Sequence, residues 1–172
     1  MNNSAFNINY KKIVLIGSLF VLAVIVIKCC FFRKQIDVKE YVINNNEKLT
    51  AFSKKVFDEQ KESFIVYNTI DDLPSEINAR DIYSNLRINY IAVSKNDTEE
   101  DNVYYMLDDK PKNQDYYTCG IYYSVNGVIL DANGNAQSGE KYEYDGGPTY
   151  ERYRYRSEKI CDKWYYFEEA RW

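Results

Sequence analysis

The chain has 172 residues, with 22 Lys and Arg against 26 Asp and Glu, and no histidine. The missing imidazole removes the commonest general base, the commonest metal ligand and every catalytic triad built on that ring. Residues 1–34 hold five of the basic residues and no acid, leaving 17 bases against 26 acids, a net of −9, on residues 35–172. Such a field repels phosphate backbones and anionic headgroups, so no nucleic acid is expected as a partner.

Residues 1–12 read as a polar N-terminal tail ending in Lys11 and Lys12. Ile13 to Ile27 is an unbroken run of apolar or small residues, and Cys29 to Phe32 carry it past Lys28. At about 1.5 Å rise per residue, 13–32 matches roughly the 30 Å hydrocarbon core of a bilayer, so it is predicted to be a transmembrane helix. The exit Val26-Ile27-Lys28-Cys29-Cys30 has neither the small-residue site of a cleaved signal peptide nor the small residue that precedes a lipidated cysteine. A single-pass signal-anchor is therefore expected, integral to the membrane through Ile13 to Phe32, with Lys28 snorkelling to the interface. Basic residues flank both ends (Lys11 and Lys12; Lys28, Arg33 and Lys34), so the positive-inside rule is close to a tie.

Residues 35–172 are expected to form one acidic α+β domain. Val38, Tyr41, Val42, Leu49, Phe52 and Val56 recur at helical spacing, which predicts an amphipathic juxtamembrane helix over Gln35 to Glu59. Asn44, Asn45 and Asn46 interrupt it, with Asn46 placed to cap a second segment. Phe64 to Tyr67 reads as a strand, and Ile77, Ile82 and Leu86 as a helix after Pro74. Ile88 to Val93 and Val103 to Leu107 are β-branched and aromatic runs joined by an acidic turn. Tyr116 to Val125 and Val128 to Leu130 flank Asn126-Gly127, a type I′ hairpin signal. Asn133-Gly134 marks another turn and Gly139 to Pro148 an irregular loop. Thr149 to Ser157 and Lys163 to Glu169 are the last two strands. Helices first and strands after predict a five- or six-stranded antiparallel meander.

Cys119 and Cys161, far apart and each within or beside a predicted strand, are expected to form a disulfide, which would place the domain in an oxidising compartment outside the cytoplasm. No cation flanks Cys119, so a thiol nucleophile is not expected. Asp131, Asn133 and Asn135 have the spacing that opens a calcium loop, but Ala136 stands where glycine is needed and Tyr142 where a bidentate glutamate is needed. A β-turn explains them better, and no metal or cofactor is expected.

In the strand around Tyr150 to Arg156, alternation puts Arg152, Arg154 and Arg156 on one face and Tyr153 and Tyr155 on the other. The arginines form either an anion clamp or, the simpler reading, cross-strand pairs with acids. Fifteen of the 18 tyrosines follow residue 82, and the doublets Tyr104-Tyr105, Tyr122-Tyr123 and Tyr165-Tyr166 put one ring on each sheet face. One ring of each is expected in the core, its twin in an outer row that offers an interaction surface.

The segment Arg152-Tyr-Arg-Tyr-Arg-Ser-Glu-Lys-Ile-Cys-Asp-Lys-Trp-Tyr-Tyr-Phe-Glu168, with Gly120-Ile-Tyr-Tyr-Ser124 upstream, resembles an uncharacterised family of small, often membrane-anchored proteins of Gram-positive, clostridial-type bacteria. The resemblance covers the C-terminal third and implies no activity or site. It implies paired strands that bring Cys119 and Cys161 close enough to bridge.

The expected function is a membrane-tethered, non-enzymatic binding module that presents a tyrosine-rich sheet face to a protein partner at the envelope. A cell-wall glycan module and an immunity or inhibitor protein against a basic toxin are the alternatives. An enzyme would have to work with Asp, Glu, Tyr and Arg alone.

Overall fold

Asp37 caps a helix: its carboxylate accepts hydrogen bonds from the backbone N–H of Lys39 and Glu40. The computed structural model describes residues 37–74, 79–108, 116–147 and 152–171. The anchor predicted over 13–32 lies outside them, and among the described residues no helix is long and apolar enough to cross a membrane.

Helix α1 (Val38–Asn44) is short and α2 (Asn46–Glu59) follows at once. The break falls at Asn45, where the Nδ2 donates to the Tyr41 carbonyl at 2.9 Å and competes with helical continuation. The cap residue is thus Asn45, one position earlier than the spacing predicts, and its side chain makes no bond to the α2 backbone. Leu49, Phe52, Ser53 and Val56 form the buried stripe of α2, a spacing that keeps them on one helical face. Helix α3 (Arg80–Leu86) buries Ile82 and Leu86 in the same layer.

The strands are β1 (Phe64–Tyr67), β2 (Ile88–Ser94), β3 (Asn102–Leu107), β4 (Thr118–Ser124), β5 (Ile129–Leu130), β6 (Ala136–Gln137), β7 (Lys141–Gly146), β8 (Tyr153–Cys161) and β9 (Trp164–Arg171). Seven of them make one antiparallel sheet in the order β1-β2-β3-β4-β9-β8-β7. This is the expected α+β class with two differences. Residues 141–146, expected as loop, are the edge strand β7. The sheet is also no simple meander: β1–β4 and β7–β9 are two meanders joined where β9 pairs with β4.

The Asn126-Gly127 hairpin does not form. Gly127 adopts φ +74, but the chain then leaves the main sheet. β5 pairs instead with β6 around Asn133-Gly134, where Gly134 has φ +84. Asp131 supplies the reason. It closes that turn through its carboxylate, which accepts from the N–H groups of Asn133 (2.8 Å) and Asn135 (2.9 Å) and from the Gln137 amide (3.1 Å).

The helices cover one face of the sheet, burying Ile91, Val103, Tyr105, Ile121, Tyr123 and Trp164. The β5–β6 pair covers part of the other face, the outer one, with Ile129 and Leu130 packed against Tyr122, Tyr155, Tyr165 and Phe167. Its reach stops there. Among the described residues no element lies over the outer face of β1 and β2, and on β3 Tyr104 and Met106 are only partly buried against this second cluster.

Candidate functional site

The open part of the outer face is a groove of about 770 Å³. Strand alternation builds its floor: Phe64 and Val66 on β1, Tyr90 and Ala92 on β2, Tyr104 and Met106 on β3 all project to this side. Phe64 is 60% exposed and Val66 37%, unusual values for large apolar side chains at adjacent same-face positions. Tyr104 is held by neighbours behind it, 5.0 Å from the Tyr122 ring and 5.4 Å, edge-on, from Phe167. The Asp131–Asn135 turn forms the far wall.

Charge and hydrogen bonding give the groove a sign. Among the described residues, three carboxylates line it, those of Glu100, Asp131 and Glu169, and no lysine or arginine does. Hydrogen bonds involving Thr98 and the backbones of Glu100 and Ala136 hold the Glu100 carboxyl below its ordinary range. Partial burial works against the Asp131 carboxylate, but the donors from Asn133, Asn135 and Gln137 outweigh it and lower that pKa as well. Glu169 is paired with Arg171 at 2.8 Å. Asn102 is 3% exposed and donates its Nδ2 to the Glu100 carbonyl, and among the described residues its buried Oδ1 meets no donor. It stands in one row with Ser94 and Phe64. The groove therefore offers apolar surface and negative charge, which suit an apolar ligand carrying cationic groups.

Of the tyrosines singled out in the sequence, Tyr104 and Tyr155 line the groove, and the Tyr122-Tyr123 and Tyr165-Tyr166 doublets lie elsewhere. Tyr123 and Tyr166 lie under the helices, as half of each doublet should. Their twins Tyr122 (0% exposed) and Tyr165 (1%) are not an outer row but a second core, because β5 covers them. The Tyr122 hydroxyl accepts from the Leu130 N–H at 2.9 Å, and Tyr165 donates to the Gly127 carbonyl at 2.6 Å. The two rings stack at 5.0 Å. A two-residue strand carries too weak a pattern to reveal that cover in advance.

Arg154 and Arg156 project to the helix-side face, opposite Tyr153 and Tyr155, and both meet acids. Arg154 Nε lies 2.7 Å from Asp145, and Arg152 is 3.5 Å from the same carboxylate. Arg156 lies 3.0 Å from Glu168, which is 2% exposed and also accepts from the Tyr166 hydroxyl at 2.9 Å. Lys39 of α1 pairs with Glu158 beside them. The arginine row is thus tied into ion pairs on the far side of the sheet from the groove.

Cys119 and Cys161 are not joined. Cys119 pairs with Glu168 across β4–β9, while Cys161 pairs with Trp164 across β8–β9. They flank β9 on opposite sides, two strand spacings or about 9–10 Å apart, and are displaced by four residues, about 13 Å, along it. Disulfide geometry requires Cα atoms within about 7 Å. The inference of an oxidising compartment loses its basis with the bond. Burial, and then Asp162, push the Cys161 thiol up, the opposite of activation.

No family model matches this chain, and no curated protein or solved structure matches it either. The likeness of the two C-terminal motifs rests on those motifs alone.

The residues missed by sequence reading are Phe64, Val66, Tyr90, Ala92, Met106 and Asn102. One signal was available: Phe64-Ile-Val-Tyr67 contains no charge, although it is a short strand in a chain rich in acids.

Proposed function

We propose that this chain is a single-pass membrane protein whose domain lies outside the cytoplasm. There it acts as a non-enzymatic binding module, and the groove over β1–β3 takes a protein partner of the envelope that bears basic side chains. The observation that carries this reading is the conjunction in one place of exposed Phe64 and Val66 with the carboxylates of Glu100, Asp131 and Glu169. The binding face named from sequence is replaced by its neighbour on the same side of the sheet. A basic toxin held by an immunity protein would fit the same chemistry.

A photo-crosslinking amino acid at Met106, compared with one at exposed Lys54 on α2, tests the reading in intact cells. A discrete protein adduct at Met106, absent at Lys54 and lost on Phe64→Glu, is expected. Absence of protein adducts, with sedimentation on insoluble peptidoglycan that Tyr90→Ala abolishes, would put the glycan module in its place. The side of the membrane is read with Ser138→Cys in a Cys29→Ser, Cys30→Ser background. Labelling by a membrane-impermeant maleimide before lysis is expected; labelling only after lysis places the domain in the cytoplasm.

A further inference from the structure

The two edges of the main sheet are protected very differently. β7 carries Lys141, Glu143 and Asp145, the charges by which an edge strand repels further strands. β1 is Phe64-Ile65-Val66-Tyr67, with no charge, no proline and no bulge in its register with β2. Among the described residues no strand lies beyond it.

The hydrogen-bond phase of this edge is readable. Lys95 donates its N–H to the Ser63 carbonyl at 2.9 Å, so Ser63, Ile65 and Tyr67 turn their backbone groups toward β2. By alternation, the N–H and C=O of Phe64 and Val66 point away from the sheet. The same two residues put their exposed side chains on the groove face. On the opposite face Tyr67 is buried against the helices, and Glu62 and Glu59, the latter 3.9 Å from Lys55, lie close enough to act on its hydroxyl.

We infer that the partner's binding element is an extended segment that adds to β1 as an eighth strand, with alternating apolar and basic residues. The inference rests on the protein-binding reading above and names the form of the partner segment that engages β1; the basic side chains that meet the groove carboxylates lie outside that segment. Its apolar side chains continue the Phe64 and Val66 row over the groove. Its basic side chains fall on the other face beside Glu59 and Glu62. Its backbone bonds the outward groups of Phe64 and Val66. Charge selects against a second copy of this chain, whose domain carries −9.

The test uses the full chain in detergent and a capped Val-Lys-Val-Lys-Val-Lys peptide, with amide hydrogen exchange read over residues 64–67. Slowed exchange is expected with this probe. It should be lost when every second amide of the probe is N-methylated, and lost again for the Val-Glu analogue. Equal protection by the N-methylated probe means side-chain docking without strand addition and overturns the inference. So does no protection by any probe at millimolar concentration.

Val66→Pro removes one outward N–H and no β1–β2 bond, so an edge position tolerates it. It should weaken the Lys-Val peptide by about tenfold, the equivalent of one lost hydrogen bond, while Val66→Thr does not. If Val66→Pro fails to fold, the N-methylated probe on the unaltered chain decides alone. Crosslinked adducts at Met106 that persist without peptide protection leave the protein-binding reading intact and reject only strand addition. Loss of those adducts rejects both.

Discussion

A methyl group added to Gly120 would lie 2.5 Å from the Phe167 ring and 2.5 Å from the carbonyl oxygen of Tyr105. The ring can shift, but the carbonyl belongs to the backbone of the neighbouring strand and cannot. Gly120→Ala is expected to destabilise the domain by about 1–3 kcal/mol, seen as a lower urea midpoint at unchanged slope. Arg156 offers a second test at a single position. Its guanidinium is the cation beside Glu168, a carboxylate removed from water. Arg156→Met should cost about 3 kcal/mol or more, because it strands a buried charge. Arg156→Met combined with Glu168→Leu should recover most of that loss, the outcome that separates an uncompensated charge from lost packing.

Among the elements, the β5–β6 pair has the largest consequence for its size. Leu130 is fully buried and its N–H is held by the Tyr122 hydroxyl. Leu130→Ala is expected to cost about 2–4 kcal/mol and to reduce the near-ultraviolet dichroism of the stacked Tyr122 and Tyr165 rings. Retention of the tyrosine signal at full strength would mean that β5 does not order this face. The helix break at Asn45 is the opposite case, a local device set by adjacent side chains. It was visible in the Asn44-Asn45-Asn46 run, as was the strand Phe64–Tyr67 in its β-branched and aromatic composition. β7 was not visible. Lys141, Glu143 and Asp145 read as loop because an edge strand carries charges for the reason that a loop does, contact with water.

For the domain as a unit, titration bounds the range of stability. Burial opposes ionisation of Glu158, but Lys39, Arg156 and Lys141 outweigh it and lower its pKa, as the turn donors do for Asp131. A carboxyl depressed by folding stabilises fully above its unfolded value, about 4 for these two groups, and loses that contribution as pH falls through the folded value. Burial, then Asp72, raises Tyr83 to about 12; burial, then Glu169, raises Tyr153 to about 12. Their contribution is complete below about 10 and disappears as pH rises toward 12. Urea midpoints should therefore be flat near neutrality and fall on both sides. Lys39→Met should shrink the acid limb, and an unchanged limb would show that Glu158 does not shape it.

Local patterns in the chain were enough for the helix-then-strand order, the antiparallel class, the split of arginine and tyrosine to opposite faces of β8, and the turn role of Asp131. Each depends on neighbours within a few residues, through alternation, helical spacing or turn chemistry. The location of the groove, the burial of Tyr122 and Tyr165, and the separation of Cys119 from Cys161 depend on which strands become neighbours. Alternation assigns a side chain to a face but says nothing of what covers that face, and β4 could meet β9 in any register the pleat allows. Those outcomes follow from long-range pairing and from one two-residue strand laid across the sheet.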